Sequence, residues 1–132
     1  MYDEIIAAVI DKIESGIELY ASIDIGSMPA NNGISAYIGA GTGDDTVFFD
    51  KGALGTLFIT VNSKNSSQQE ALNALSRIHA YITRLKAYSS GELWSICDIS
   101  TGTVPNYIGE EDNSQYLYGS ILKVKFQIKG VD

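Results

Sequence analysis

The sequence predicts an α+β fold in which a mainly antiparallel, twisted sheet carries two helices on one face. Three observations predict it. Stretches of alternating apolar and polar residues recur at 34–38, 56–61, 93–100 and 116–129, the pattern of strands with one side on a core. Two other stretches, near the N-terminus and from Ser67 to Lys86, repeat apolar residues every three or four positions, which lines one face of a helix. The strand patterns also follow one another in consecutive groups, as antiparallel neighbours do, instead of alternating strictly with helices.

Asp3 and Glu4 open the first helix, where negative charge suits the positive end of the dipole, and Ile6, Val9, Ile10, Ile13 and Ile17 trace one face. Ser15-Gly16 weakens its far end. From Ala21 to Asn32, single apolar residues are mixed with Gly26, Pro29 and Asn31-Asn32, and this reads as a connecting loop. Ile34 to Ile38 reads as a short strand, and Gly39 to Asp45 as a mobile glycine-bearing, acidic loop after it. Thr46-Val47-Phe48-Phe49 fits either a short strand or a loop anchor, and Asp50-Lys51-Gly52 turns the chain into the next strand.

The stretch from Gly55 to Lys86 is the organising unit. Leu57, Ile59 and Val61 share one side of a strand, with Thr56, Phe58 and Thr60 on the other, and Asn62 to Ser66 reads as a polar turn. Ser67-Gln68-Gln69-Glu70 is a capping box, in which the serine hydroxyl takes an orphan amide and the glutamate reaches back. Ala71, Leu75, Ile78, Ile82 and Leu85 then hold an apolar stripe to Lys86, flanked by Leu72, Tyr81 and Tyr88, for a helix of about 30 Å. Ser89-Ser90-Gly91 stops it. Leu93 to Ser100 is a strand that Thr101 to Thr103 can extend, 105–114 is a polar and acidic connection, and Tyr116 to Lys129 is the longest strand. Leu122, Val124, Phe126 and Ile128 face one way on it, while Lys123, Lys125, Gln127 and Lys129 form a row suited to a solvated face or a protected edge.

At 132 residues, with 45% hydrophobic content, the chain is one domain, 1–132, large enough to bury a core without staples. A formal charge of −7 opposes general affinity for phosphate backbones or anionic lipid, both of which need Lys and Arg to neutralise them. No stretch reads as a signal peptide or membrane span, and one cysteine cannot form an internal disulfide and suits a reducing compartment, so the expectation is a cytosolic, soluble protein with no membrane partner.

The candidate chemistry is thin. Gly39 to Gly43 lacks both the dinucleotide fingerprint and the Gly-Lys-Ser/Thr ending of a phosphate loop, and Asp44 and Asp45 would repel phosphate. His79 is the single histidine, which excludes a multi-histidine metal site and reads as a partly buried structural residue. Cys97, within an apolar run, reads as a small hydrophobe that has no base beside it unless His79 reaches across. Glu110, Glu111 and Asp112, with Asn113, could offer oxygens to a hard cation but lack the alternating ligands and central glycine of an EF-hand. A solvated acidic loop or a protein-contact loop fits them better. Tyr107, Tyr116 and Tyr118 flank that loop with amphipathic rings of the kind that serve interfaces. The expectation is therefore no catalysis and no cofactor, with Asp44, Asp45, Phe48, Phe49, Tyr107, Glu110, Glu111 and Asp112 as candidate protein-contact residues.

The sequence resembles the minor capsid and tail-terminator proteins of long-tailed bacteriophages. The resemblance is carried by Gly55-Thr56-Leu57-Phe58-Ile59-Thr60-Val61 with its polar turn and Ser67-started helix, and by Pro105-Asn106-Tyr107-Ile108-Gly109-Glu110-Glu111-Asp112 followed by Tyr116-Leu117-Tyr118 and the final strand. It implies a virion protein, assembled in the host cytoplasm, that forms a six-membered ring with itself, caps the tail tube protein and presents a surface to a head-completion protein. DNA would pass through the ring without specific binding, which an acidic lumen favours. The alternatives are another head-tail neck or head-completion protein, or, in a different class, a small ligand-binding domain or enzyme with Gly39 to Asp45 as a lid.

Overall fold

A computed structural model describes residues 1–47 and 52–129. The expected α+β architecture is present. The elements run α1 (Tyr2–Gly16), β1 (Ile23–Ile25), β2 (Ile34–Ile38), β3 (Gly43–Val47), β4 (Ala53–Asn65), α2 (Gln68–Ile82), β5 (Trp94–Glu110) and β6 (Tyr116–Ile128). Among the described residues the sheet has the order β1-β2-β4-β6-β5, with β3 also paired to β4. All pairings are antiparallel except β1 with β2.

The apolar patterns decide which side is buried. Leu57, Ile59 and Val61 of β4 and Leu122, Val124 and Phe126 of β6 lie in one fully buried layer, and Ile34 and Ala36 of β2 and Ile96 and Ile99 of β5 continue it sideways. Both helices cover this face: α1 with Ile5, Ile6, Val9, Ile10 and Ile13, and α2 with Ala71, Ala74, Leu75, Ile78 and Ile82. Tyr2 meets Phe126 edge to face, with ring centroids 5.7 Å apart. Gly55 makes room for the same ring, since a Cβ there would sit 2.4 Å from Phe126 Cζ. Among the described residues no helix covers the opposite face.

Several boundaries differ from the sequence expectation. The loop read from Ala21 to Asn32 contains β1, which borders β2 in parallel register from Ile23↔Ile34 to Ile25↔Ala36. The polar turn read at Asn62 to Ser66 is largely strand, because β4 continues to Asn65, where it pairs with Tyr116. Its polar residues are each used: Ser63 Oγ donates to Ala71 O at 2.7 Å, and Lys64 pairs with Glu111. Ser67 does cap α2, accepting Glu70 N–H at 3.3 Å, but its own N–H goes to Asn65 Oδ1 at 2.9 Å, the place expected for the Glu70 carboxylate.

α2 ends at Ile82, short of Lys86. Thr83 closes it, with both its N–H and its Oγ1 directed at His79 O, so Leu85 and Tyr88 pack on the core from the following coil. The Gly39–Asp45 loop is shorter than expected because β3 starts at Gly43. The residues before it form a pinned crossing beside Phe58: Gly39 N–H donates to Phe58 O at 2.7 Å, and Thr42 Oγ1 accepts Phe58 N–H at 3.0 Å. Gly41, at φ +91, lies against the Phe58 ring. Phe48, Phe49, Asp50 and Lys51 lie outside the described residues.

The basic row of β6 is not at an edge. β6 is flanked by β4 and β5, so Lys123 and Lys125 stand on the helix-free side of an interior strand, where Lys125 Nζ donates to Thr56 Oγ1 at 2.8 Å, and Lys129 follows the end of that strand. Cys97 is exposed instead of packed as a hydrophobe, because the register of β5 slips between Ile96 and Asp98 and leaves it without a partner on β6.

Candidate protein-contact site

The edge strand β5 and its turn into β6 carry the densest set of sequence-nominated residues. The connection read at 105–114 is mostly strand: β5 continues through Pro105 to Glu110, pairing Tyr107 with Tyr118 and Glu110 with Tyr116. An edge strand tolerates Pro105, since one row of its backbone groups has no ladder partner to lose. Register shifts at Thr101/Thr103, Thr103/Asn106 and Tyr107/Gly109 break the alternation and turn side chains outward. Val104 is 66% exposed, Tyr107 54% and Ile108 53%. A long edge strand with exposed apolar residues is a ready surface for another chain.

These side chains are held in place. Tyr107 packs edge to face on Tyr118, centroids 5.5 Å apart, and the Tyr118 hydroxyl donates to Gln68 Oε1 at 3.3 Å. Ile108 lies across Gly119, where a Cβ would come within 2.6 Å of its Cδ1. Asn106 Nδ2 donates to Val104 O at 2.8 Å and to Gly119 O at 3.2 Å. On the helix-free face this leaves a shallow groove of about 300 Å³ between Tyr37, Asn62, Asn106, Ile108 and Ile121.

The acidic turn is anchored. Glu111 N–H donates to Gln115 O at 2.8 Å, Ser114 N–H donates to Glu111 O at 3.0 Å, and Ser114 takes φ 61 to close the bend. Asn113 Nδ2 reaches Ala30 O at 2.9 Å and Asn31 Oδ1 at 3.0 Å, while Gln115 Oε1 accepts Asn32 N–H at 2.7 Å. The Glu111 carboxylate meets the buried Lys64 ammonium, which leaves Glu110 and Asp112 exposed and without an ion pair among the described residues. The carboxylates do not converge on a cation site: no group of three or more potential metal ligands occurs among the described residues.

The structure gathers Tyr107, Glu110, Glu111 and Asp112 at one end of the sheet. It does not bring Asp44 and Asp45 to them. Those lie on β3, which pairs with β4 near Gly55, whereas the acidic turn sits beyond Asn65 at the other end of that strand, roughly 30 Å away.

One polar feature was undervalued by sequence reasoning. His79 is 95% buried, with Nδ1 2.9 Å from Thr101 Oγ1 and Nε2 without a hydrogen-bond partner among the described residues. Burial pushes its pKa down to about 4, so the ring is neutral near pH 7. Tyr20 is partly buried, its pKa raised to about 12 by that burial and its hydroxyl 2.9 Å from Gly33 O and 2.8 Å from Lys64 O. That tyrosine ties the loop after α1 to β4. The only sequence signal for the His79 position was its place on the apolar stripe of α2.

The sequence matches no protein-family model and no curated protein. In fold, the chain is similar to a chain in the virion of a native gene transfer agent particle, with a TM-score of 0.56 and 11% sequence identity. The likeness covers 91% of this chain and 85% of that one. At that identity it is the architecture that is shared.

Proposed function

We propose that this protein is a structural subunit of a tailed-phage or phage-like virion, and that its place is the tail terminator: a six-membered ring that caps the tail tube and presents a joining surface to the head. The observation that carries the reading is the fold shared, over nearly the whole chain, with a chain of a gene transfer agent virion. The exposed apolar strip on β5 supports it, because a subunit that works by contact needs such a surface and a free-standing monomer is better without one. In this reading the partners are other copies of the chain, the tail tube protein and a head-completion protein. The acidic ring lets DNA through without holding it, and no catalytic step is involved.

The test is to mix the protein with purified tail tubes and image them. Rings or caps on one end of the tube are expected. Binding along the tube wall, or none, overturns the terminator assignment, and binding to head connectors without tubes moves the protein to the head side of the neck.

A further inference from the structure

We propose that the groove between the C-terminal half of α2 and the edge strand β5 is a socket that receives the acidic β5–β6 turn of a second copy of this chain. The inference rests on the self-assembling reading above and names its contact. The groove has a volume of about 280 Å³, with Ser76, His79, Ala80 and Arg84 on the helix side and Val104 and Pro105 on the strand side. It is built rather than incidental. β5 slips register twice beside it, at Thr101/Thr103 and Thr103/Asn106, which swings Val104 out as one wall and directs Thr101 to the histidine.

Two groups beside this groove are unmet, one of them buried behind its wall and one at its rim. His79 Nε2 has no partner among the described residues, although the residue is 95% buried. When the Thr101 hydroxyl donates to Nδ1, Nε2 carries the ring proton and is a donor. Arg84, at the rim, is exposed and has no ion pair among the described residues, and Lys86 follows it. Nε2 itself has under 1 Å² of accessible surface, so it is the Arg84 guanidinium at the rim, with Lys86 nearby, that asks for carboxylates.

The same chain holds a matching knob. Glu110 and Asp112 project from a turn that Asn113, Gln115 and the Lys64–Glu111 pair already hold in shape, so little order has to be gained on docking. It cannot fold back into its own groove. From Thr103 to Glu110 the strand runs outward for roughly 20 Å. Knob and socket are different surfaces, so the contact is head to tail, the kind that closes into a ring when the rotation allows. Docking also covers Val104, the most exposed large hydrophobic residue on β5.

The experiment follows the full-length protein by NMR from dilute to near-millimolar concentration. The His79 ring, the Arg84 side chain and the Glu110 and Asp112 amides are expected to shift on one common isotherm. Absence of concentration dependence, or shifts confined to other surfaces, overturns the proposal. Arg84→Glu, and separately the pair Glu110→Lys with Asp112→Lys, should each weaken self-association by about tenfold or more, and combining them in one chain should restore most of it. Lys12→Glu, on the exposed side of α1, controls for net charge and should change little. If rings cap tube ends and Arg84→Glu forms them as readily as the wild type, the socket is wrong and the terminator reading stands. If the charge swap behaves as expected but tubes are ignored, the socket stands and that reading falls.

Discussion

Thr101 Oγ1 lies 2.9 Å from Nδ1 of His79, joining the C-terminal half of α2 to the edge strand β5 through a buried ring whose other nitrogen has no partner among the described residues. The bond makes the helix–strand contact sensitive to protonation. A neutral imidazole fits this site, and a charged one would have to be desolvated.

Acid should therefore weaken the fold through His79. Its folded-state pKa, about 4, lies below the ordinary 6.5, so between these values the unfolded chain binds the additional proton. The contribution is complete above the unfolded pKa and is lost as pH falls toward the folded one, for up to roughly 3 kcal/mol. Urea unfolding across this window should show wild type losing more stability than His79→Phe. Equal losses would mean that the surface carboxylates account for all of the acid sensitivity.

The start of α2 gives a second prediction. Asn65 accepts the Ser67 N–H and Ser67 accepts the Glu70 N–H, so the cap runs through Asn65 and Ser67 and not through the Glu70 side chain. Ser67→Ala and Asn65→Ala should each cost about 1 kcal/mol, while Glu70→Ala should stay within about 0.5 kcal/mol. Thermal or chemical denaturation ranks the three. A Glu70→Ala cost equal to that of Ser67→Ala would restore the reciprocal box.

The sequence carried the interior of this fold better than its margins. The stripe of α2 and the alternation of 57–61 were legible because burial enforces a period, and a period survives in the sequence. β1 was not, since three residues at an edge are too few to establish one. Asn62 to Asn65 was read as a turn and Pro105 to Glu110 as a polar connection, both from composition, yet each is strand. Asn65 and Lys64 are polar because they cap a helix and meet Glu111, and Pro105 and Gly109 stand where an edge strand tolerates them. Of the nominated contact residues, the cluster from Tyr107 to Asp112 proved contiguous. The groove beside His79 left no pattern in the sequence, because α2 and β5 meet there only through tertiary packing.

Leu72 and Leu75 separate helix propensity from core packing. Both lie in α2, but Leu75 is fully buried and Leu72 is 39% exposed. Leu75→Ala should cost about 2–5 kcal/mol and Leu72→Ala less than about 1 kcal/mol. Near-equal costs would place Leu72 in an interface of the assembled state, and repeating the measurement at low protein concentration would reveal it.

The ion pair between Lys64 and Glu111 should break asymmetrically. The lysine side chain is 7% exposed and the glutamate 43% exposed, so the two ends stand in different solvents. Glu111→Gln strands a buried ammonium without its counter-charge, an arrangement that desolvation makes costly. Lys64→Met removes that charge while keeping most of the side-chain volume, and the half-exposed carboxylate it leaves behind can turn to water. The expected costs are about 2–3 kcal/mol for Glu111→Gln and about 1 kcal/mol or less for Lys64→Met, with the double substitution close to Lys64→Met alone. Denaturant midpoints of the three variants and wild type provide the cycle. A larger loss from Lys64→Met than from Glu111→Gln would mean that the pair is held for its attraction, and that the acidic turn depends on it for its shape.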